Sequence, residues 1–490
     1  MLICKWHTKQ IGETTPMESI IQEIAGKYIT QVVELLQENG ITSIGQTARE
    51  LHSITKAAAL EMLGASLEQM DLALVAANKA RRDDGFRIKE RDASRTILTE
   101  LGELRYARTY FEDKSGKKRY LLDHLIGVAP YERISRELCA ALVQEAADTS
   151  MGKAARRLAV PVSRQTVNNR VLALKEVCAG AVPVKETPPE LHVFADEDHV
   201  HMKNGRSAMV PLVTVTEGID PRKKRHKCIN PVHFEGFGMK TQDFFEGISS
   251  LLNERYDMRL VRRIYVHADG GKWITVAQDW LPNVQFVMDG FHLEKRLRQL
   301  SRLPGAACRM GTIRKSIRED AFDHFVGQCA KLDEDLDKAA HDSLTEHINF
   351  IQNHWDAIVL RLQKSVCGSC TEPLVSHVLS ERLSRNPLAW SEHGLRQMAM
   401  LRVYTQNGGV VTAKDVRVSR SRAALAADAE SRVSGYAKYR KLADKQIHEF
   451  LSTPCNWSLF NPPPRGCGKL DATGMLKKSF GSLHDNLAAS

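Results

Sequence analysis

No stretch of this chain approaches the roughly 18 consecutive apolar residues that a membrane-spanning helix needs, which argues against a helical membrane protein. The N-terminus lacks the apolar core and small-residue cleavage site of a secretory signal, so a cytoplasmic location is expected. Met17-Glu-Ser-Ile-Ile makes a better opening than Met1, and no structural role is expected of the first sixteen residues. There is no internal repeat. Paired cysteines are nearly absent as well. Of ten Cys, only Cys367-Gly-Ser-Cys370 has paired spacing, and Cys455 and Cys467 stand too far apart to make a second pair. Without that second pair the thiols read as reduced cytosolic residues rather than zinc ligands.

The 490 residues are 43% hydrophobic and 26% charged, enough for about three domains with real cores. The formal charge of +10 favours an anionic partner, because Lys and Arg gain affinity for phosphate by releasing counterions. Residues 17–80 read as helical from apolar residues at three- and four-residue spacing (Ile20-Ile21, Ile24, Ile29, Val32-Val33, Leu35-Leu36), punctuated by Gly40 and Gly45. Alternation around Gly-containing turns over 95–121 predicts a small β-meander.

Helices resume at 131–180. Glu145 to Leu158 reads as one helix, Ala159-Val-Pro-Val-Ser163 as a short break, and the segment from Arg164 as a second helix with Ser163 as its N-cap. That grammar is the one a helix-turn-helix needs, with Arg164, Gln165, Asn168 and Asn169 near the start of the second helix, where such side chains reach base edges and phosphates.

Pro183, Pro188 and Pro189 mark a linker, after which the pattern turns to β/α. A strand through Leu191–Met202, its hairpin partner over 208–215 and a third strand near 228–234, beyond the basic turn Arg222-Lys-Lys-Arg-His226, come first. A helix at 241–255, a strand Val261–Val266, a helix near 272–279, a strand Val284–Met288 and a helix from about 291 follow. Three antiparallel strands followed by alternating helices and strands is the order of a ribonuclease H-like core with a mixed five-stranded sheet. Residues 297–366 read as an all-helical insertion with a basic start (Arg298, Arg302, Arg309, Arg314, Lys315, Arg318), and a last helix runs from Thr371 through Arg382. The expected chain is thus multidomain. It has a helical N-terminal region (1–94), a β-meander (95–128), a helix-turn-helix (129–182), the first part of the core (190–296), the insertion (297–368), the last core helix (369–405) and a C-terminal region with a tail (406–490).

Acids fall where such a core would place chemistry. Asp196 and Asp198 follow Val193-Phe-Ala on the first strand and, at period two, point to one face, so strand geometry alone does not choose between them. Asp269 directly ends a strand ahead of Gly270-Gly271, where open α/β sheets carry their sites. Glu372 opens a helix beyond the insertion. Phosphodiester cleavage and transfer need an attacking and a leaving oxygen stabilised together, which two divalent ions roughly 3.5–4 Å apart accomplish. Mg2+ or Mn2+ prefers such hard oxygen ligands. His199 and His201 are therefore expected in solvent or on DNA, and Trp273 and Trp390 in packing.

The blocks Ala195-Asp-Glu-Asp-His-Val-His-Met, His267-Ala-Asp-Gly-Gly-Lys-Trp-Ile, Met288-Asp-Gly-Phe-His-Leu-Glu-Lys-Arg-Leu and Glu372-Pro-Leu-Val-Ser-His-Val-Leu-Ser-Glu-Arg-Leu-Ser, in this order, resemble the ISLre-two insertion-sequence transposases, relatives of the Mutator-type transposases. The resemblance runs from about residue 95 to 405. It implies DNA cleavage and strand transfer on two Mg2+ or Mn2+ ions, with a metal-binding catalytic triad falling on Asp196, Asp269 and Glu372. Asp289 and His292 match the family's Asp-x-x-His block, and with Asp198 they are expected in accessory roles. Pro373 stands where the family has Gly, which leaves Glu381 as the alternative third acid. Double-stranded DNA, as terminal inverted repeats and target, is the implied partner, and a homodimer or larger assembly is expected on it. The rival expectations are a structure-specific nuclease of the same fold and a catalytically decayed DNA-binding protein.

Overall fold

The computed structural model describes residues 16–38, 41, 43–178, 182–220, 227–333, 336–363, 366–385, 389–417 and 437–452. Gly40, the basic turn at 222–226, Cys455, Cys467 and the tail lie outside the described residues. The chain is mixed helical and sheet and divides into two units, residues 1–135 with 420–490, and residues 136–419. No helix among the described residues is long and apolar enough to cross a membrane.

In the first unit, helices α1 (Pro16–Glu38), α2 (Ile44–Ala76) and α3 (Asn78–Asp83) precede strands β1 (Arg87–Thr99), β2 (Gly102–Glu112) and β3 (Lys118–Arg119) and helix α4 (Leu121–Leu125). Ser43 caps α2 by accepting from the Gln46 N–H, so Gly45 lies inside the first turn rather than at a break. The antiparallel sheet begins at Arg87, ahead of the start that alternation predicts, because register shifts between Ile88 and Ala93 blur the period of two. Leu67, Met70 and Leu74 of α2 pack with Ile97, Leu104 and Phe111 into one core, and Asp71 accepts from both the backbone N–H and the hydroxyl of Thr109.

The second unit starts with α5 (Arg136–Asp148), α6 (Met151–Arg157) and α7 (Arg164–Leu172). The single helix expected over 145–158 is two, because Ser150 caps α6 by accepting from the Lys153 N–H. The sheet follows as β4 (Glu190–His201), β5 (Ser207–Thr216), a small hairpin of β6 (Ile219–Asp220) and β7 (Lys227–Cys228), and β8 (Val232–Glu235). The strand expected near 228–234 is therefore split, Cys228 pairing in the hairpin and only Val232–Glu235 joining the main sheet. Helix α8 (Thr241–Arg255), strand β9 (Arg263–Ala268), short helices α9 (Lys272–Thr275) and α10 (Ala277–Trp280), and strand β10 (Val284–Met288) complete a five-stranded sheet of order β10-β9-β4-β5-β8. β4 runs antiparallel to β5 and parallel to β9, which runs parallel to β10.

From Leu191 to Asp196, β4 is buried on both faces. Leu191, Val193 and Ala195 meet Phe245, Ile248 and Leu252 of α8 on one of them. Edge strand β8 is covered by Asn407, whose side chain accepts from the His233 N–H and donates to its carbonyl, each at 2.8 Å. Helices α11 (Gly290–Leu300), α12 (Ala306–Arg318), α13 (Phe322–Asp333), α14 (Lys338–Asn353) and α15 (Trp355–Arg361) build a core of their own around Leu297, Ile313, Phe325 and Ile351.

The chain then returns as α16 (Thr371–Val375), a π-turn at Ser376–Ser380 and α17 (Glu381–Leu383), before α18 (Glu392–Gln406); helix α19 (Ala437–Ser452) belongs to the first unit. The last core helix is thus not the unbroken α-helix its sequence predicts. Carbonyls of the widened turn at His377 and Val378 accept instead from the buried guanidinium of Arg402, at 2.6 and 2.8 Å.

Candidate active site

The register of the sheet brings the acids together. Phe194 of β4 lies opposite His267 of β9, so Asp196 and Asp269, each two residues further on, emerge at the same level of neighbouring parallel strands. On the next strand, Met288 pairs with Ala268, and the Asp289 N–H donates to the Ala268 carbonyl at 2.8 Å. That backbone hydrogen bond extends the β9–β10 pairing by one residue and sets Asp289 at the same level. Glu372, the second residue of α16, completes the set. Asp196, Asp269 and Glu372 all line one cavity of about 440 Å3, together with Glu197, His199, Phe291, His292, Lys295 and Arg296. A roomier hollow of about 610 Å3 lies between β10 and α15, but the three acids do not line it.

Local chemistry fixes each side chain. Asp269 Oδ1 accepts from the Gly271 N–H at 2.8 Å. The turn depends on Gly270, whose φ is +92° and where a Cβ would stand 2.5 Å from His354 Nε2. Asp196 Oδ1 accepts from the Glu197 N–H at 2.9 Å, and its other oxygen lies 3.9 Å from His292 Nε2. The facing Asp196 carboxylate raises the His292 pKa, with the charges of Asp269 and Asp289 adding to it. Burial raises the Glu197 carboxyl, and repulsion from Asp269 and Asp196 pushes the same way against the Trp273 Nε1–H that donates to it at 2.9 Å. Negative charge is therefore concentrated here beyond what His292 and the rim cations Lys295 and Arg296 answer directly, Arg296 being engaged by Glu346 at 2.8 Å.

The other sequence candidates take different places. Asp198 is buried and does not line the cavity, one oxygen accepting from the Ser384 hydroxyl at 3.0 Å, and burial raises its carboxyl. Asp289 caps α11 by accepting from the backbone of Phe291 and His292, and its second oxygen accepts from the Ser369 hydroxyl. Burial opposes its charge, but these hydrogen bonds outweigh it and hold the carboxyl below its usual range. Glu381 does not line the cavity and pairs with His377 at 2.7 Å and Arg385 at 3.5 Å. Pro373 falls in the first turn of α16, where a helix leaves its N–H groups unpaired anyway. His199 and His201 are exposed. Trp273 packs against the core beneath the sheet, and Trp390 is buried under the Arg382 guanidinium. Sequence patterns do not single out Glu197, Phe291, Lys295 or Arg296, although each is the neighbour or helical-turn companion of a residue that they do.

On α7, Arg164, Gln165 and Asn169 are exposed and Asn168 is half-buried, while Val167 and Val171 face inward. Ser163 caps the helix by accepting from the Thr166 N–H at 3.1 Å, and Gln165 donates to Asn169 at 2.8 Å. In the helical insertion Arg314 is held by both carboxylate oxygens of Glu294, at 2.6 and 2.9 Å, so the basic start of that region is partly neutralised.

Over residues 36–420 the chain matches the family described as Uncharacterised protein family (UPF0236). It is 29% identical over 389 residues to a UPF0236 protein of Caldanaerobacter subterraneus subsp. tengcongensis, covering 78% of this chain and 82% of that protein. A second protein of the same strain is 29% identical over 402 residues, covering 80% and 86%. The UPF0236 protein in the vanSb 3' region of Streptococcus gallolyticus is 22% identical over 405 residues, covering 78% and 86%. The chain belongs to the UPF0236 family.

Proposed function

We propose that this chain is a DNA transposase that cuts and joins DNA ends with Asp196, Asp269 and Glu372. The observation that carries the reading is the convergence of those three acids, 73 and 103 residues apart, on one cavity beside the ends of two parallel strands. The strand order β10-β9-β4-β5-β8 and the return of the chain in α16 support the reading of a ribonuclease H-like core, and the four sequence blocks resemble the ISLre-two transposases. The name of one relative carries eleven locus designations from a single strain, and another carries four. One product at many chromosomal positions is the footprint of an element that copies or moves itself.

The donor set fits divalent metal. The acids are hard oxygen ligands, Asp196 and Asp269 each keep one carboxylate oxygen clear of the backbone N–H that fixes the other, and the surplus negative charge invites cations. Asp196, Asp269 and Glu372 would hold two Mg2+ or Mn2+ ions, which supply stabilisation of the attacking and leaving oxygens in phosphoryl transfer. His292 faces Asp196, and in its protonated form it would answer phosphate charge there. Exposed Lys295 provides a cation at the rim, and exposed Phe291 a ring on which a terminal base can stack. In this reading water attacks the phosphodiester at the element end, and the released 3′-hydroxyl then attacks target DNA. Helices α5–α7 serve as a helix-turn-helix, with Arg164, Gln165, Asn168 and Asn169 reading the terminal repeats in the major groove. Two ends must meet, so the protein acts as a dimer or larger assembly on DNA.

The test is strand transfer by the purified chain on DNA carrying the element's own ends, with Mg2+ or Mn2+, beside Asp196→Ala and Asp269→Ala. Joined products that vanish in both variants are expected. Cleavage without joining would replace the reading with a structure-specific nuclease, and end binding without metal-dependent chemistry with a decayed DNA-binding protein.

A further inference from the structure

Three ligating side chains from distant parts of the sequence meet on the sheet outside the acid cavity. His192 stands on β4 and His267 on the neighbouring parallel strand β9, both buried. Cys367 reaches them from the segment that leads into α16. Its Sγ lies 3.0 Å from His192 Nδ1 and 3.9 Å from His267 Nε2, and the two nitrogens are 3.1 Å apart. Among the described residues these form the one group of three His, Cys or acidic side chains whose ligand atoms all fall within 4.8 Å of one another.

We propose that His192, His267 and Cys367 bind a zinc ion that clips the segment preceding α16 onto the central strands. Two-centre hydrogen bonds do not account for all three contacts at once. His192 Nδ1 carries either one proton or one lone pair. Protonated, it has two acceptors to share its hydrogen between; bare, it has two donors competing for one lone pair. A metal ion satisfies three converging lone pairs at once. With Zn–N near 2.0–2.1 Å and Zn–S near 2.3 Å, tetrahedral geometry sets ligand atoms roughly 3.3–3.6 Å apart. That separation falls inside the observed spread of 3.0 to 3.9 Å, so small side-chain shifts suffice to seat the ion. Two imidazoles and a thiolate select zinc over the magnesium or manganese that the carboxylates suit. No other His, Cys or acidic side chain among the described residues joins this group, so the fourth corner falls to a water. Cys367 is five residues ahead of Glu372, so the clip holds the chain just before the third acid.

This zinc site stands independently of the reaction proposed above. The full-length chain, made without a histidine tag in zinc-supplemented cells and dialysed against excess Mg2+, is expected to retain about one zinc per chain by elemental analysis. Cys367→Ser and His192→Asn are expected to lose it, while Asp196→Ala and Asp269→Ala lose strand transfer and keep it. Because ligand variants can misfold, Co2+ added to the zinc-stripped wild-type chain provides a second readout. The visible bands of tetrahedral Co2+ and a near-ultraviolet thiolate-to-metal band are expected. A chain that purifies without zinc and gives neither band with Co2+ would overturn the proposal. So would zinc that is lost from the Asp196 and Asp269 variants but kept by Cys367→Ser, since the ion would then sit on the carboxylates.

Discussion

His233 offers a direct test of how the sheet edge is held. Its imidazole is buried on β8, with Nδ1 2.8 Å from the Thr214 hydroxyl, and burial pushes its pKa down to about 4. The unfolded chain takes up this proton near pH 6.5, so between about 6.5 and 4 it binds more protons than the folded chain. Stability from this residue is therefore complete above the upper value and is lost as the pH falls towards the lower. At about 1.36 kcal/mol per pH unit the full effect is about 3 kcal/mol, of which about 2.5 kcal/mol is gone by about pH 4.5. Urea unfolding of the intact chain at about pH 7.5 and about pH 4.5, followed by tryptophan fluorescence, measures it against His233→Asn. The asparagine keeps a polar atom near Thr214 and does not titrate. The wild-type chain should lose about 2.5 kcal/mol more than the variant over that interval. Equal losses in both would show that His233 protonates freely in the folded protein, refuting the account of a sealed sheet edge.

Replacing Glu372 with Gln should abolish metal-dependent strand transfer, whereas Asp198→Asn and Glu381→Gln should retain it in the same gel assay; activity that survives Glu372→Gln would remove that residue from the triad. Arg164→Ala should weaken binding to the element's ends and lower the slope of log affinity against log salt by about 1, as measured by fluorescence anisotropy across a salt series. Gly270→Ala forces a side chain into a left-handed conformation, costing about 1–2 kcal/mol, and drives a methyl towards His354. It should depress cleavage through a displaced Asp269 while leaving end binding unchanged in mobility-shift assays.

Much of the sheet is legible in the chain because each strand carries a local signal. The apolar run before Asp196, the hairpin partner at 208–215 and the strand ending at Asp269 are all found within a residue or two. Strand geometry cannot separate Asp196 from Asp198, because period-two alternation gives them the same face, and in the sequence the family resemblance alone favours Asp196; in the structure what distinguishes them is Ser384, a hydrogen-bond partner 186 residues from Asp198. The clustering of His192 and His267 with Cys367 is hidden for the same reason. Spacing rules for paired cysteines find neighbours in sequence, whereas these ligands are 75 and 100 residues apart. The π-turn after Glu372 is also illegible, since the group that stabilises its carbonyls is Arg402, two dozen residues on.

Asp289 has a topological consequence. One of its oxygens starts α11 and the other holds Ser369, 80 residues later. The helical excursion between them is therefore a closed ring on the chain, tied at its base by a single carboxylate, with a hydrophobic core of its own. Because the entropy of closing such a ring grows only with the logarithm of its length, helices can be added to or removed from the far side at little thermodynamic cost to the acids at the knot. Helices α12 and α13, which line no part of the acid cavity, are the part of this protein that evolution, or an engineer, can exchange while leaving the three acids in place.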